Sequence, residues 1–147
     1  MNILANDGIS PAGLTALKNA GHTVWTDFIE ARDLASFINE NHVEGLLVRS
    51  ATKVREPLID ACPNLKFIIR GGVGMDNIDV AYARSKGVQV NNTPAASSQS
   101  VAELVMGHLF TLSRFLHDSN RRMPVEGVEQ FKSLKKAYGK GRELRGM

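Results

Sequence analysis

The sequence of 147 residues lacks several features of secreted, membrane-bound and metal-dependent proteins. It contains one cysteine, Cys62, which excludes both an intrachain disulfide and a metal site built from several thiolates. No apolar run reaches the roughly 18 residues of a membrane-spanning helix. The N-terminal residues lack the basic start and the apolar stretch of a signal peptide. These absences predict a cytoplasmic protein.

The composition is that of an ordinary globular domain. The chain is 43% hydrophobic and 22% charged, which excludes a disordered or low-complexity protein. Its charge is uneven, because residues 1–113 hold 9 basic and 11 acidic side chains whereas residues 114–147 hold 9 and 4. A basic segment can bind nucleic acid, but no aromatic residues alternate with the basic ones as stacking platforms. We therefore expect a solvated arm and no nucleic-acid partner.

Short apolar segments alternate with helix-like segments over residues 1–98. Their period of about 22 residues predicts a doubly wound parallel sheet with helices on both faces. Ser10 and Pro11 are predicted to begin the first helix, and Gly87 to follow the helix after the fourth strand. The five predicted strands lie at residues 3–5, 23–26, 45–48, 65–69 and 88–90.

A long helix is predicted over residues 99–123. Ser100 and Glu103 fit a capping box at its start. Its apolar residues surround most of the helix and do not form a single stripe, which is typical of a helix covered on several sides. We therefore expect Ser100–Met123 to pack against another domain or a second copy of the chain. Residues 124–147 are polar and basic and are predicted to form an extended arm.

Candidate functional residues follow the carboxyl ends of three predicted strands. Arg49 and Ser50 follow the third strand, Arg70 and the turn Gly71–Gly74 end the fourth, and Asn92 ends the fifth. Open parallel sheets bind ligands at this edge. Guanidinium groups match carboxylates and phosphates, and glycines let backbone amides approach an anion. The pattern predicts a pocket for a small anion; otherwise the arginines pair with surface carboxylates and the glycines only turn the chain.

Other recognisable sites are excluded by spacing. Asn77 stands where a dinucleotide fingerprint beginning at Gly72 needs its third glycine, and no P-loop is present. His108 and His117 are nine positions apart and lie on opposite sides of the predicted helix, which disfavours a shared metal ion. Cys62 occupies a core-facing position and is expected to be inert. We predict neither a metal site nor a catalytic residue in this chain.

Four segments in this order closely resemble the N-terminal part of the D-3-phosphoglycerate dehydrogenases, members of the NAD-dependent D-2-hydroxyacid dehydrogenase family. The segments are Val48–Val54, Arg70–Asp79, Asn92–Pro94 and Ser100–Leu104. The resemblance runs essentially from Met1 to Met147. It implies a flavodoxin-like substrate-binding domain, followed by a helix that crosses to a cofactor domain and packs at a dimer interface.

The resemblance also implies roles for the residues at the strand ends. The arginines and the serine contact the phosphorylated or anionic end of the substrate, the glycine turn holds its carboxylate, and the asparagine lines the same cleft. Val73 matches a position that also faces the nicotinamide of the cofactor. The implied substrate-binding residues are Arg49, Ser50, Arg70, Gly71, Gly72, Val73, Gly74 and Asn92.

The family's cofactor-binding loop and its catalytic Arg, Glu and His fall beyond Met147. The resemblance implies that the complete enzyme oxidises 3-phosphoglycerate to 3-phosphohydroxypyruvate with NAD, a reaction of serine biosynthesis. This chain alone is expected to be inactive, to bind NAD weakly and to form a homodimer through Ser100–Met123.

Two alternatives to a dehydrogenase part remain open. The first is a stand-alone anion-binding or regulatory module of the same fold, which would bind its acid without a cofactor. The second is a response-regulator receiver domain, which needs acids after strands one and three and a lysine after strand five. Asp7 fits that pattern, but Arg49 and Asn92 do not.

Overall fold

Five short strands alternate with four helices in the N-terminal part of the chain. The computed structural model describes residues 1–146, and these divide into two compact units at Ala96 and Ser97. The elements of the first unit are β1 Asn2–Ala5, α1 Pro11–Asn19, β2 Thr23–Trp25, α2 Ala31–Glu40, β3 Gly45–Val48, α3 Glu56–Ala61, β4 Phe67–Arg70, α4 Val80–Ser85 and β5 Gln89–Asn92.

The strands form one parallel sheet in the order β2-β1-β3-β4-β5, which confirms the predicted architecture. Its register aligns Val48, Arg70 and Asn92 across three neighbouring strands, so the residues after them meet at one edge. The chain runs outward from β1 to β2 and then returns past β1 to β3. The topological switch point therefore lies between β1 and β3, where doubly wound sheets bind their ligands.

The core of the first unit is a row of side chains across the sheet. Leu4, Leu46, Ile68 and Val90 are register partners and are all buried. Helix α2 contributes Leu34 and Ile38 to the same cluster. Burial on both faces explains why these strands are short apolar runs with no polar alternation.

The ends of two helices follow the predicted signals. The Ser10 hydroxyl accepts a hydrogen bond from the Gly13 amide at 3.1 Å, and Pro11 occupies the first helical position of α1. Gly87 follows α4 with a φ of 81°, a left-handed conformation that costs glycine little.

The second unit consists of two helices, α5 Ser98–Arg114 and α6 Leu116–Tyr138. The single helix predicted over residues 99–123 is therefore wrong in its extent. Phe115 adopts a left-handed φ of 56° and ends α5, and its ring lies 6.3 Å from the ring of Tyr138. Neither Gly nor Pro stands at this break, so the residue types around Phe115 did not predict it.

The extended arm predicted over residues 124–147 is also wrong, because the chain remains helical to Tyr138. Pro124 sits within α6, where the Arg122 guanidinium reaches past it to the Glu126 carboxylate at 2.8 Å. Such pairs four positions apart support a helix locally. The backbone departs from helical angles at Gln130, and the Tyr138 hydroxyl bonds the Asp118 carboxylate at 2.8 Å.

The predicted capping box is not formed. Helix α5 begins at Ser98 with Ser97 as its N-cap, so Ser100 lies inside the helix. The Glu103 carboxylate accepts a hydrogen bond from the side-chain amide of Gln99 at 2.8 Å and does not cap the helix. The observed N-cap lies three residues before the predicted one, so Ser100 occupies a helical position and cannot cap the helix.

The apolar side chains of α5 are exposed in this chain. The exposed fraction ranges from 42% at Leu109 to 76% at Leu112, and α5 contains no buried residue. Large contiguous apolar surfaces are uncommon on monomeric proteins and mark interaction sites. Among residues 1–146, none of the helices combines the length and apolar character needed to cross a membrane.

Leu46→Ala tests the importance of the central row of the core. Leu46 is fully buried, so its truncation should lower the free energy of unfolding by about 2–5 kcal/mol. Urea unfolding followed by the fluorescence of Trp25, the single tryptophan, measures this change in the first unit. The control Phe28→Ala removes a side chain that is 59% exposed and should cost little. Equal losses in the two variants would contradict the assigned core.

Candidate functional site

A cleft of about 620 Å³ opens at the switch point between the ends of β1 and β3. One wall is the loop after β1, which leads to the N-terminus of α1, and the other is formed by the ends of β3 and β4. Its lining residues are Asp7, Gly8, Ile9, Ser10, Leu47, Val48, Arg49, Ile69, Gly71 and Thr93. Fold topology and cavity thus identify the same edge of the sheet.

Arg49 is the cation of this cleft, and its main chain is held on both sides. The Arg49 amide donates to the Asp7 carboxylate at 2.6 Å, and its carbonyl accepts from the Asn77 side-chain amide at 2.9 Å. The Arg70 Nε also donates to the Arg49 carbonyl, at 3.3 Å. The Cγ of Arg49 passes 3.5 Å from the point where a Cβ on Gly71 would stand, so the side chain runs along the glycine turn.

Three buried polar residues beneath the loop were missed by the sequence reasoning. Thr52 and Asn77 are each 6% exposed and Asn6 is 2% exposed. The Asn6 Nδ2 donates to the Thr52 hydroxyl at 2.8 Å, and the Asn77 Nδ2 donates to the Thr52 carbonyl at 2.7 Å. The sequence does show the polar residues Asn6 and Asp7 after β1 and Asn77 after the glycine turn. It does not show which distant residues they bond.

The Asp7 carboxylate is stabilised in its ionised form. Partial burial alone would raise the pKa of Asp7, but hydrogen bonds from the Thr52 hydroxyl and amide and from the Arg49 amide outweigh it. The pKa therefore lies below its ordinary value. A carboxylate that receives these donors holds the loop after β3 against the loop after β1.

Arg70 faces the glycine turn and does not line the cleft. Its Nη1 lies 2.9 Å from where a Cβ on Gly72 would stand and 3.5 Å from the same position at Gly74. Gly72 has a φ of 156°, which L side chains rarely adopt. The backbone conformation therefore favours glycine here, whereas the flexible Arg70 guanidinium could shift to make room for a side chain.

The backbone amides of the turn divide into two groups. The Gly71 amide donates to the Val48 carbonyl at 2.8 Å and the Gly72 amide to the Arg70 carbonyl at 3.0 Å. The amides of Val73 and Gly74 donate to no acceptor within residues 1–146, so they are the ones open to a ligand. The turn is held from β5, because the Asn92 Nδ2 donates to the Val73 carbonyl at 2.6 Å.

All eight residues predicted from the sequence lie along the carboxyl edge of β3, β4 and β5. Within that group, Arg49 and Gly71 line the cleft, whereas Ser50 sits on the exposed loop beside it. Arg70 packs against the turn at Gly72 and Gly74, and Asn92 bonds the Val73 carbonyl. The loop after β1 and Thr93, which the sequence did not single out, supply the remaining walls.

The segment Gly72–Asn77 does not fit the pyrophosphate of a dinucleotide cofactor. After the Gly72–Gly74 turn the next helix, α4, begins only at Val80, so no helix N-terminus follows the glycines. Asn77 fills the third glycine position, and its side-chain amide donates to two backbone carbonyls.

Residues 1–146 contain no group of three or more His, Cys, Asp or Glu side chains suited to a metal ion. Burial raises the pKa of the Cys62 thiol to about 11, so this thiol is a poor nucleophile.

Residues 3–140 match the family model of the D-isomer specific 2-hydroxyacid dehydrogenase, catalytic domain. The chain belongs to this family, which confirms the D-2-hydroxyacid dehydrogenase family to which its motifs pointed. The narrower resemblance to D-3-phosphoglycerate dehydrogenases stays a prediction.

Its relatives include enzymes of two activities. The chain is 44% identical over 142 residues to a hydroxypyruvate reductase from Thermotoga maritima, covering 96% of this chain and 44% of the relative. It is 32% identical over 148 residues to a D-3-phosphoglycerate dehydrogenase from Mycobacterium tuberculosis, and the match covers 95% of this chain and 28% of the relative.

The chain is also similar to the solved structure of NAD⁺-bound 3-phosphoglycerate dehydrogenase from Entamoeba histolytica. The TM-score is 0.62 at 30% identity, and the match covers 78% of this chain and 39% of that chain. The chain spans less than half the length of these relatives.

Asp7→Asn tests the electrostatic part of the site through acid stability. Because the pKa of Asp7 is lowered by folding, its ionised form stabilises the fold above the unfolded pKa of about 3.8, and this contribution is lost as the pH falls through the folded value. Between about pH 5 and pH 2.5 the wild type should therefore lose more unfolding free energy than Asp7→Asn. Urea titrations at stepped pH measure both slopes, and equal slopes would contradict the assignment.

Proposed function

We propose that the cleft binds the substrate of a D-2-hydroxyacid dehydrogenase, a small 2-hydroxyacid or the corresponding 2-oxoacid. The observation that carries this proposal is Arg49 in the lining of a cleft at the topological switch point, with its main-chain amide and carbonyl both hydrogen-bonded. Membership of the 2-hydroxyacid dehydrogenase family supports the same class of substrate. The full-length protein would act as an NAD-dependent oxidoreductase.

The residues of this chain would bind and orient the substrate. The Arg49 guanidinium presents a planar fork that matches a carboxylate with two parallel hydrogen bonds. The free amides of Val73 and Gly74 supply further donors at the rim, and Ser50 adds a hydroxyl beside Arg49. Arg70 and Asn92 would keep the turn in place, as their bonds to Arg49 and Val73 indicate.

The charge of the cleft favours a substrate with one negative charge. Of its lining residues, Arg49 is the single cation and Asp7 the single carboxylate. A phosphorylated three-carbon acid carries about three negative charges at neutral pH, because the phosphate adds roughly two to the carboxylate. We therefore propose hydroxypyruvate and D-glycerate as the first candidate pair, which agrees with the 44% identity to a hydroxypyruvate reductase.

The second candidate pair is 3-phosphoglycerate and 3-phosphohydroxypyruvate, which would place the protein in serine biosynthesis. The observation in its favour is the second guanidinium, because Arg70 is the register partner of Val48 and its Nε donates to the carbonyl of the next residue, Arg49. Its group would have to rotate from the glycine turn towards the cleft to meet a phosphate. The 32% identity to a D-3-phosphoglycerate dehydrogenase supports this candidate.

The cofactor would be held outside the residues described here. Because the Gly72–Asn77 turn does not fit a pyrophosphate, we propose that the chain binds NAD weakly and turns over no hydroxyacid by itself. The alternative, a stand-alone anion-binding module, would bind the same acids without a cofactor. It would differ in that the full-length protein would have no dehydrogenase activity.

We propose a cytoplasmic location for the protein.

Titration calorimetry with hydroxypyruvate, D-glycerate, 3-phosphoglycerate and NAD tests the proposal. The chain should bind hydroxypyruvate more tightly than 3-phosphoglycerate, and NAD should produce no saturable heat. Arg49→Ala should weaken hydroxypyruvate binding at least about tenfold, since it removes a hydrogen bond between charged groups.

The matched control is Arg32→Ala, which removes an exposed guanidinium that pairs with Glu30 and Asp33 away from the cleft. It should leave the affinity unchanged. Tighter binding of 3-phosphoglycerate would favour the second candidate. Absence of binding by all three acids, or equal losses in Arg49→Ala and Arg32→Ala, would overturn the assigned site.

We further propose that the chain self-associates through Ser100–Met123, because the exposed apolar side chains of α5 lie in this segment. Analytical ultracentrifugation from about 1 to 100 µM should show a dimer that Leu112→Glu dissociates, since the carboxylate would be buried without a partner. The control Val128→Glu alters a side chain that is 95% exposed on α6, outside this segment, and should leave the dimer intact. A wild-type monomer at every concentration would contradict the proposal. We propose no nucleic-acid partner for the basic residues of α6.

A further inference from the structure

We propose that Asp7 and Thr52 are positioning residues for substrate binding, which act by fixing the loop Arg49–Thr52 so that the Arg49 side chain reaches the cleft. This inference rests on the function proposed above for the cleft. It assigns a binding role to side chains that neither the strand-end pattern nor the family resemblance singled out.

The first step is the arrangement of donors around the Asp7 carboxylate. One oxygen accepts from the Arg49 amide at 2.6 Å and from the Thr52 amide at 3.1 Å, and the other accepts from the Thr52 hydroxyl. A single side chain on the loop after β1 therefore holds both ends of the loop after β3. A flexible loop would have to lose this conformational freedom when the ligand binds, at a cost in affinity.

The second step is the support of the loop from the opposite side. The Asn77 side-chain amide donates to the carbonyls of Arg49 and Thr52 at 2.9 and 2.7 Å. Asn77 is itself fixed, because its carbonyl accepts from the Val54 amide at 2.8 Å. The loop is thus held between Asp7 and Asn77. Thr52 and Asn77 are buried, where an unpaired polar group is costly.

The third step is the sign of the charge at Asp7. A carboxylate that lines a cleft for an anion repels the ligand, so Asp7 is not expected to bind the ligand directly. The donors that its two oxygens accept indicate instead that it holds the loop. This reasoning separates the two properties of Asp7, because an amide side chain keeps an acceptor oxygen for the Arg49 and Thr52 amides while it removes the charge.

The experiment compares variants of the whole chain by hydroxypyruvate titration at pH 7 together with thermal unfolding. Asp7→Ala should weaken binding at least fivefold, whereas Asp7→Asn should bind within threefold of the wild type or more tightly. Thr52→Val, which removes the hydroxyl but keeps the shape, should weaken binding at least threefold. Thr52→Ser keeps the hydroxyl and should restore wild-type affinity.

The matched control is Asp79→Ala. Asp79 accepts from the Glu56 amide at 3.1 Å and from the Arg55 guanidinium at 2.7 Å, so it too holds a loop, but it does not line the cleft. This variant should lose stability and keep its affinity for hydroxypyruvate. If the effect of Asp7→Ala came only from lost stability, the two variants would lose affinity equally.

The outcomes separate this inference from the proposed function. If the wild type binds and Arg49→Ala weakens binding, but Asp7→Ala and Thr52→Val bind as the wild type does, the positioning role is overturned and the site stands. Equal losses of affinity in Asp7→Ala and Asp79→Ala also overturn it. If Asp7→Ala does not fold, wild-type affinity in Thr52→Val is sufficient to reject the inference. A wild type that binds no acid overturns the site itself.

Discussion

The bonds from the Arg49 main chain to Asp7 and Asn77 are the interactions on which the functional interpretation depends. The Arg49 amide donates to a carboxylate from the loop after β1, and the Arg49 carbonyl accepts from a side-chain amide of the turn after β4. Three loops that are distant in the sequence are thereby joined at the switch point of the sheet. Without these bonds the main chain of Arg49 would be free to move, and its side chain would not start from a fixed position beside the cleft.

The position of the cleft was predictable from the sequence because it follows from topology. Parallel strands place their carboxyl ends at one edge, and the register of Val48, Arg70 and Asn92 brings the following residues together there. The bonds of Thr52 and Asn77 were not predictable, because their partners lie 25 to 46 residues away in the sequence. Arg70 illustrates a second limit: its position was correct, but the direction of its guanidinium depends on the space that Gly72 and Gly74 leave open.

The second unit shows where local sequence signals fail. Pro124 and a polar composition indicated an extended arm, but the ion pair of Arg122 and Glu126 spans the proline and α6 continues to Tyr138. Phe115 breaks the helix in a left-handed conformation that its residue type does not favour. The exposed apolar side chains of α5 agree with the expectation that this helix needs a partner, since the described part of the chain leaves them uncovered.

The most direct test of the central claim is a map of the backbone amides that respond to hydroxypyruvate in ¹H–¹⁵N NMR spectra. We expect saturable chemical-shift changes at the amides of Arg49, Val73, Gly74 and Thr93, with the same apparent affinity for hydroxypyruvate at each. The Arg49 amide proton should lie downfield in the free protein because it donates to the Asp7 carboxylate. Shifts confined to another face of the sheet, or an Arg49 amide that exchanges freely with water, would contradict the account.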